Sequence, residues 1–245
     1  MAFTRRLSVF ASASLAALTL SALLPSAAFA AGPMSSGSVG SDISWPQCGS
    51  AAPAGYSFGI IGITGGKPFT NNDCFANEFA WSQSVGTPQL YLNLDYGLRR
   101  DGPLWCSEGE TGCEAYNYGY EAAAYAYRYA AEQTGGQSRG TATWWLDVET
   151  ENYWLDDTAQ NSYVIQGALD YLQRSLGRTV GVYSTHWQWG QIAGNFAPQA
   201  TPNWIAGAND LQDYGKCSAS LWPGAQVWAI QYLNLEIDLD ENRAC

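Results

Sequence analysis

Two acidic residues, Asp147 and Glu149, lie two positions apart in the segment WWLDVET. Residues i and i+2 of a β-strand project to the same side, so the two carboxyl groups should share one face. Trp144 and Trp145 would give the pair a wall of low dielectric constant. Two crowded carboxyls cannot both ionise easily, so one pKa should rise. We expect the charge of Asp147 to keep Glu149 protonated, which suits protonation of a glycosidic oxygen.

The histidine count narrows the possible chemistry. His186 is the only histidine in 245 residues, which excludes a histidine-rich metal site. Any Ser-His-Asp or Cys-His mechanism would have to use His186. A structural role is favoured for this residue, and a hydrogen bond to substrate is the alternative. Carboxylate chemistry therefore remains, and we expect no metal and no other cofactor.

Further candidates fall at predicted strand ends, where the loops of a β/α barrel carry its chemistry. The catalytic candidates are Asp42, Asp147, Glu149 and Asp238, and the substrate-binding candidates are Asn93, Asp95, Trp187, Trp189, Gln231 and Asp240. Core packing explains the two tryptophans equally well. Loop capping explains Asn93, Asp95 and Gln231 equally well.

Short β-like runs alternate with helical stretches in the region that carries these residues. Several runs are continuously apolar, such as FGIIGIT and VWAIQY, as expected of parallel strands covered on both faces. The predicted strands are Ser41–Ser44, Phe58–Thr64, Gln89–Asp95, Thr143–Val148, Val180–Ser184, Asn203–Ala206, Val227–Gln231 and Ile237–Leu239; the predicted helices are Phe75–Ser84, Ala115–Gln133 and Thr158–Leu176. This pattern predicts an α/β fold, a compact (β/α) barrel of TIM type with some helices shortened or missing. A doubly wound sheet is the alternative.

The first thirty residues have the order of a secretory signal peptide. Arg5 and Arg6 precede an apolar run over Leu7–Leu24, and Ala28-Phe29-Ala30 is a small-x-small cleavage site. We predict cleavage after Ala30 and a secreted protein; a membrane anchor is the alternative. The export route, general or twin-arginine, stays open. Residues 31–40 are predicted to be a flexible lead, and residues 41–245 one barrel domain.

The mature chain is acidic and rich in aromatic residues. Removing Arg5 and Arg6 changes the formal net charge from −11 to −13, which argues against binding nucleic acid or anionic membranes through general electrostatics. Charged residues make up 13% and aromatic residues 14% of the chain. That balance suits sugars, which stack on flat rings and hydrogen-bond to amides and carboxylates, although core packing should account for most of the tryptophans.

All six cysteines follow Ala30, and an even number in an exported chain predicts disulfide bonds. Many pairings are possible. We predict Cys48–Cys74, Cys106–Cys113 and Cys217–Cys245, because each pair brackets a loop or a terminus. The second pair lies in the long segment Tyr96–Glu114, which we interpret as a fastened surface loop near the barrel mouth.

Several segments, taken in chain order, resemble the glycoside hydrolase family 25 barrels, which include the cell-wall lysozymes, and their secreted bacterial relatives. GSDISWPQ resembles the opening strand, FGIIGITGG the second strand, WWLDVET the strand with its Asp-x-Glu, GVYSTHWQW the fifth strand, and NWIAGAN, VWAIQY and EIDLDEN the closing strands. The resemblance implies that Glu149 is the general acid. It implies that Asp147 either steers the substrate's N-acetyl group or stabilises the developing charge, and that Asp42 and Asp238 orient the sugar.

Two segments depart from the family pattern. Ile63-Thr64-Gly65-Gly66 replaces a charged Lys-and-Glu segment, and Leu92-Asn93-Leu94-Asp95 replaces an aromatic-His-aromatic turn. The resemblance implies a secreted glycoside hydrolase that cleaves a β-linked N-acetylated glycan such as bacterial peptidoglycan. The alternative is a catalytically weak or inactive barrel that binds cell-envelope polysaccharide. In either case we expect a monomer whose partner is polysaccharide, with no nucleic-acid partner and no stable membrane insertion after signal cleavage.

Overall fold

The computed structural model describes residues 32–96, 110–141 and 143–245. The predicted signal peptide, its cleavage site after Ala30 and Cys106 lie outside the described residues. The first strand begins at Val39, slightly before the predicted domain start at residue 41. The end of the predicted flexible lead is tied to the C-terminus, because Ser36 Oγ donates to the carbonyl of Cys245 at 2.8 Å.

Eight strands form a closed barrel in which neighbours along the chain are neighbours in the sheet. They are β1 Val39–Ile43, β2 Gly59–Gly62, β3 Gln89–Asn93, β4 Thr143–Asp147, β5 Thr179–Ser184, β6 Asn203–Ile205, β7 Val227–Asn234 and β8 Leu239–Ala244. The pairs from β1 to β7 are parallel, and β8 runs antiparallel to both β7 and β1. The predicted fold class is confirmed, and a doubly wound sheet is excluded because this sheet has no open edge.

Aromatic rings fill the barrel interior. The ring of Trp204 lies 5.8 Å from that of Trp145 and 4.3 Å from that of Tyr183. Gly181 leaves the space that Trp145 occupies, because a Cβ at residue 181 would lie 2.2 Å from the indole. A second, larger apolar layer, which includes Leu146, separates the barrel from its helices. The barrel is therefore a packed core with a floor of rings beneath its mouth.

The helices in the described segments are α1 Phe75–Val85, α2 Thr111–Gln133, α3 Thr158–Leu169 and α4 His186–Ile192. A π-helical turn, Asp170–Ser175, extends α3. The connection from β1 to β2 has only a 3-10 turn at Trp45–Gln47 and otherwise follows an irregular path. The expectation of shortened or missing helices is thus confirmed. None of the described helices is both long and apolar enough to cross a membrane.

The end of the barrel differs from the prediction. Strand β7 continues to Asn234, and the chain then turns through residues 235–238 into β8. Asp238 lies in this turn with a φ of 53°, a left-handed conformation that Asp tolerates better than most residues. The predicted strand Ile237–Leu239 is therefore wrong, because most of it is the turn of a β-hairpin. The register of that hairpin pairs Leu233 with Asp240.

Two of the three predicted disulfides are confirmed. Cys48 is bonded to Cys74, and Cys217 to Cys245. Cys113 is also disulfide-bonded. Its predicted partner, Cys106, lies outside the described residues, so that pairing stays a prediction.

Candidate active site

Strand β4 carries two carboxyl groups to the barrel mouth. Trp145 and Asp147 occupy alternate, inward positions of the strand, and Glu149 continues the alternation beyond its end. The sheet register aligns Asp147 with Asn93 of β3 and with Tyr183 of β5. A hydrogen bond joins the carboxyls of Asp147 and Glu149, which confirms that the two residues share a face.

Asp147 is the inner carboxyl of this pair, and only 4% of it is exposed. Asn93 donates an Nδ2–H to its Oδ2 atom. The Oδ1 atom is buried and accepts no hydrogen bond from any described N–H or O–H group. Burial raises the pKa of Asp147 well above its usual range, and the charge of Glu149 and the hydrogen bond to Glu149 raise it further. Burial and the neighbouring Glu149 therefore shift Asp147 toward its neutral form, relative to an aspartate in water.

Glu149 is less buried than Asp147. Burial is the main cause that raises its pKa, and the charge of Glu151 is the second; together they bring the pKa to about 7. Hydrogen bonds from Asp147 and Gln188 act in the opposite direction and lower it. The expected rise in the pKa of one member of the pair is present at both residues, and at Glu149 the repulsion comes mainly from Glu151, which the sequence did not indicate. A group with a pKa near 7 can both hold and release a proton at neutral pH.

Two amide side chains hold Asp42, which projects inward from β1. Asn242 donates an Nδ2–H to Oδ1 of Asp42 at 2.6 Å, and Gln231 donates an Nε2–H to the same atom at 3.1 Å. Each amide oxygen is already occupied, since Trp204 donates to Asn242 at 2.8 Å and Tyr183 donates to Gln231 at 2.6 Å. Burial raises the pKa of Asp42 well above its usual range, whereas these two amide bonds lower it.

Asp240 enters the cluster from β8, where it is the direct cross-strand partner of Asp42. Burial raises the pKa of Asp240 to about 6, with the charge of Asp238 as the second cause. The charge of Asp240 in turn raises the pKa of Asp42 and of Glu149. Asp238 itself is exposed in the hairpin turn. The structure therefore places Asp240, predicted only as a substrate contact, in the position that the sequence assigned to Asp238.

Asp42, Asp147, Glu149 and Asp240 form a carboxyl cluster above the aromatic floor. The pKa of each lies above its usual value, so the cluster holds protons at a pH where isolated acids have lost them. Among the described residues, no group of three or more His, Cys, Asp or Glu side chains is arranged to hold a metal ion. The chemistry available at this mouth is acid–base transfer between carboxyls and a bound molecule.

A protein-family model described as Lysozyme-like protein 1 matches residues 114–217, a range that contains both Asp147 and Glu149. Three solved structures share the architecture. The lysozyme from Streptomyces coelicolor has 22% identity, with 86% of this chain and 93% of that chain covered and a TM-score of 0.59. The family 25 lysozyme from Aspergillus fumigatus has 16% identity and a TM-score of 0.59, and the match covers 85% of this chain and 93% of that chain. The muramidase from Acremonium alcalophilum has 20% identity and a TM-score of 0.56, and the match covers 84% of this chain and 93% of that chain. The chain has the fold of the family 25 lysozymes.

The similarity to family 25 barrels that the sequence motifs indicated is thereby confirmed, at identities that show a shared fold. No match was found among curated protein sequences. A shared fold does not by itself assign an activity, which depends on the residues of the site. The activity of this lysozyme-type barrel therefore depends on the carboxyl cluster at its mouth.

The two tryptophan candidates of this lysozyme-type barrel have different environments. Trp187 is 65% exposed on α4 and is available to a ligand, whereas Trp189 is 1% exposed. The ring of Trp189 lies 4.9 Å from that of Trp222, and its Nε1–H donates to the carbonyl of Phe196 at 3.1 Å. Trp189 is thus a core residue, and its prediction as a substrate contact is wrong. His186 is the first residue of α4, and its Nδ1 atom lies 3.2 Å from the carbonyl oxygen of Ser220.

Most of the polar residues predicted to contact substrate instead hydrogen-bond to members of the carboxyl cluster. Asn93 and Gln231 direct their N–H groups at Asp147 and Asp42, so these amides orient carboxyls. Asp95 is buried and accepts a hydrogen bond from the hydroxyl of Tyr118 at 2.5 Å. None of these three exceeds 9% exposure.

Sequence reasoning missed four residues of the barrel mouth: Tyr183, Gln188, Asn242 and Glu151. The alternation of inward positions could have found Asn242, two residues after Asp240 on one strand. Gln188 carries a capping-box signal, three residues after Thr185. Its Nε2–H donates to Glu151 at 3.0 Å, a contact between helix α4 and the loop after β4 that no local pattern reveals.

Proposed function

We propose that this chain is an exported glycoside hydrolase that cleaves a β-linked N-acetylated glycan, with bacterial peptidoglycan as the substrate. One observation carries the proposal: a buried carboxyl, Asp147, is hydrogen-bonded to a less buried one, Glu149, whose pKa is raised to about 7. The solved structures of the same fold are described as lysozymes and muramidases, which supports this choice of substrate.

Glu149 is the member of the pair that a glycosidic oxygen can reach, because Asp147 lies deeper. In the proposed reaction, the proton passes from Glu149 to the glycosidic oxygen as the bond to the anomeric carbon breaks; water then supplies the hydroxyl that the anomeric carbon gains and the proton that Glu149 regains. The pair then carries more negative charge beside the positive charge that develops on the sugar. Asp42 and Asp240 border the same mouth and orient the sugar.

The test is the loss of turbidity of purified bacterial cell walls treated with mature protein, residues 31–245. Wild-type protein should clear the suspension and release new reducing ends, and Glu149→Gln should lower the initial rate by about a hundredfold or more. Glu132→Gln, a change of the same type at an exposed position of α2, should retain the wild-type rate. Wild-type protein that sediments with the walls but releases no reducing ends would support the alternative, a barrel that only binds polysaccharide.

A further inference from the structure

A second concave site lies outside the barrel, next to its mouth. A cavity of about 380 Å³ lies between the irregular segment after β1, residues 46–53, the first turns of α1 and the hairpin turn before β8. Between β1 and β2 the chain has the 3-10 turn at Trp45–Gln47 and no α-helix, and the cavity lies against this irregular segment. The disulfide Cys48–Cys74 joins two of its walls.

The walls of this cavity combine apolar surface with negative charge. Ile43, Pro46, Trp81, Ile237 and Leu239 supply much of the apolar surface. The charged residues among its described lining are Glu78 and Asp238, and that lining contains no lysine or arginine. Ligand sites are typically apolar hollows with a few placed polar groups. Here both ionisable groups are acids, so the charge favours a cation.

Glu78 has an unmet hydrogen-bonding requirement. Its side chain is buried, with 6% exposure, and Asn72 donates an Nδ2–H to its Oε2 atom at 2.6 Å. The Oε1 atom is buried, and no group of the described residues hydrogen-bonds to it. A buried acceptor without a donor costs free energy, and burial raises the pKa of Glu78. A positively charged donor that entered the cavity would satisfy Oε1 and stabilise the carboxylate.

We propose that this cavity binds a primary ammonium group on an apolar stem, the chemistry of a lysine side chain. The ammonium would donate to Glu78, its stem would lie against Trp81 and Ile237, and Asp238 would attract it at the rim. The proposal does not depend on glycan hydrolysis, since it uses none of the residues of the carboxyl cluster.

The test is a titration of the mature protein with n-butylammonium chloride, followed by NMR. The reporter is the indole N–H of Trp81, which donates to the carbonyl of Pro53 at 2.8 Å within the wall. We expect a saturable shift of this resonance and of the Ile237 amide, at constant ionic strength. The neutral analogue n-butanol should bind at least about tenfold more weakly, because it cannot form a charge-assisted hydrogen bond with the buried carboxylate.

Three variants complete the test. Glu78→Gln keeps the shape but removes the charge, and should weaken n-butylammonium binding by about tenfold or more. Asp238→Asn, at an exposed position that cannot disturb the core, should weaken it by about two- to threefold, as expected of a solvent-screened charge. Glu132→Gln, on exposed α2, should bind like wild type. Equal binding of n-butanol and n-butylammonium, unchanged affinity in both Glu78→Gln and Asp238→Asn, or no saturable shift at all would overturn the proposal.

Discussion

Amide side chains orient the two innermost carboxyls of the cluster. Asn93 directs an N–H at Asp147, while its own oxygen accepts a hydrogen bond from Thr64 at 2.5 Å. Gln231 does the same for Asp42. Because each amide oxygen is occupied, rotation of the amide would break two hydrogen bonds at once. The inner carboxyls are therefore held in place, and Glu149 is left as the member whose proton can move.

Replacement of Glu149 by Gln tests whether the proton of Glu149 is the one transferred, because the change replaces one carboxyl oxygen by an amide nitrogen. Glu149→Gln should lower kcat by about a hundredfold or more, the range for loss of a general acid. Its Kd for a soluble glycan fragment should change little, because Gln has the same shape and keeps most hydrogen bonds. Single-turnover rates and equilibrium binding on the same fragment separate the two quantities. A variant with full wall-degrading activity would show that the carboxyls are structural.

Replacement of Glu151 tests how a neighbouring charge affects the pKa of Glu149. Its charge is the main neighbouring repulsion that raises the pKa of Glu149, so Glu151→Gln should lower that pKa below about 7. The basic limb of the kcat/KM profile, which reports loss of the acid's proton, should then move to lower pH. Asp156→Asn, a change at an exposed position nearby in the chain, should leave the profile unchanged. A shift to higher pH in Glu151→Gln would contradict the assignment.

Part of this site was predictable from sequence. The Asp147–Glu149 pair and Asp42 follow from strand alternation and strand ends, which are local properties of the chain. The exchange of Asp238 for Asp240 depends on the hairpin register, which a polar strand does not reveal. The repulsion between Glu149 and Glu151 depends on how one loop folds after β4, and no spacing rule gives that distance.

Among the elements, α2 and α3 approach each other closely through two glycines. A Cβ on Gly119 would lie 1.8 Å from the carbonyl oxygen of Val164, and a Cβ on Gly167 would lie 1.9 Å from that of Tyr116. Backbone thus contacts backbone at the crossing. Even one methyl group would push the helices apart, because backbone atoms cannot move aside as a flexible side chain can.

Gly119→Ala should therefore lower the free energy of unfolding by about 1–3 kcal/mol or more, the cost of overpacking a fitted contact. Gly190→Ala is the matched control, because no atom of the described residues outside its own helical turn lies within 4 Å of an added Cβ on α4. There the higher helix propensity of Ala should stabilise the protein by up to about 1 kcal/mol. Urea denaturation of both variants measures the difference. Equal stability of the two variants would mean that α2 and α3 do not cross so closely.

The elements were predictable where their pattern was long and apolar. Strands β2 and β4 are runs of buried residues, so their sequences resemble buried parallel strands. Strand β7 is buried only at its centre, but its sequence VWAIQY is apolar enough to be recognised. Strand β8, LDENRA, does not follow this pattern, because two of its inward residues are polar: Asp240 belongs to the carboxyl cluster and Asn242 donates to Asp42. Helix α4 has seven residues, too few for a helical period to be visible.

For the whole molecule, barrel closure is what creates the carboxyl cluster. Asp42 belongs to the first strand and Asp240 to the last, and these strands pair antiparallel to complete the ring. The bond Cys217–Cys245 fastens the chain immediately after β8. In the unfolded chain these acids lie far apart and titrate independently. Folding therefore brings together several carboxyls at an electrostatic cost, and that cost depends on pH.

The sign of this dependence follows from the raised pKa values. Glu149 rises from 4.5 to about 7 and Asp240 from 3.8 to about 6, and the pKa values of Asp42 and Asp147 are also raised. Between the ordinary and the raised values the folded state binds more protons than the unfolded state. The free energy of unfolding should therefore be greatest near the lower limit of that window and fall as pH rises from about 4 to about 7.

Urea denaturation at about pH 4.5 and about pH 7.5 measures this loss. The double variant Glu149→Gln/Asp240→Asn removes two of the acids, so its midpoint should depend less on pH and should exceed that of wild type at the higher pH. The chain also carries a formal net charge of −11, and general repulsion grows as its exposed acids ionise. Glu132→Gln removes one exposed charge outside the carboxyl cluster, so it should keep the wild-type dependence and isolate the contribution of the cluster. A double variant that loses stability over this range as steeply as wild type would show that the cluster does not hold its protons in the folded state.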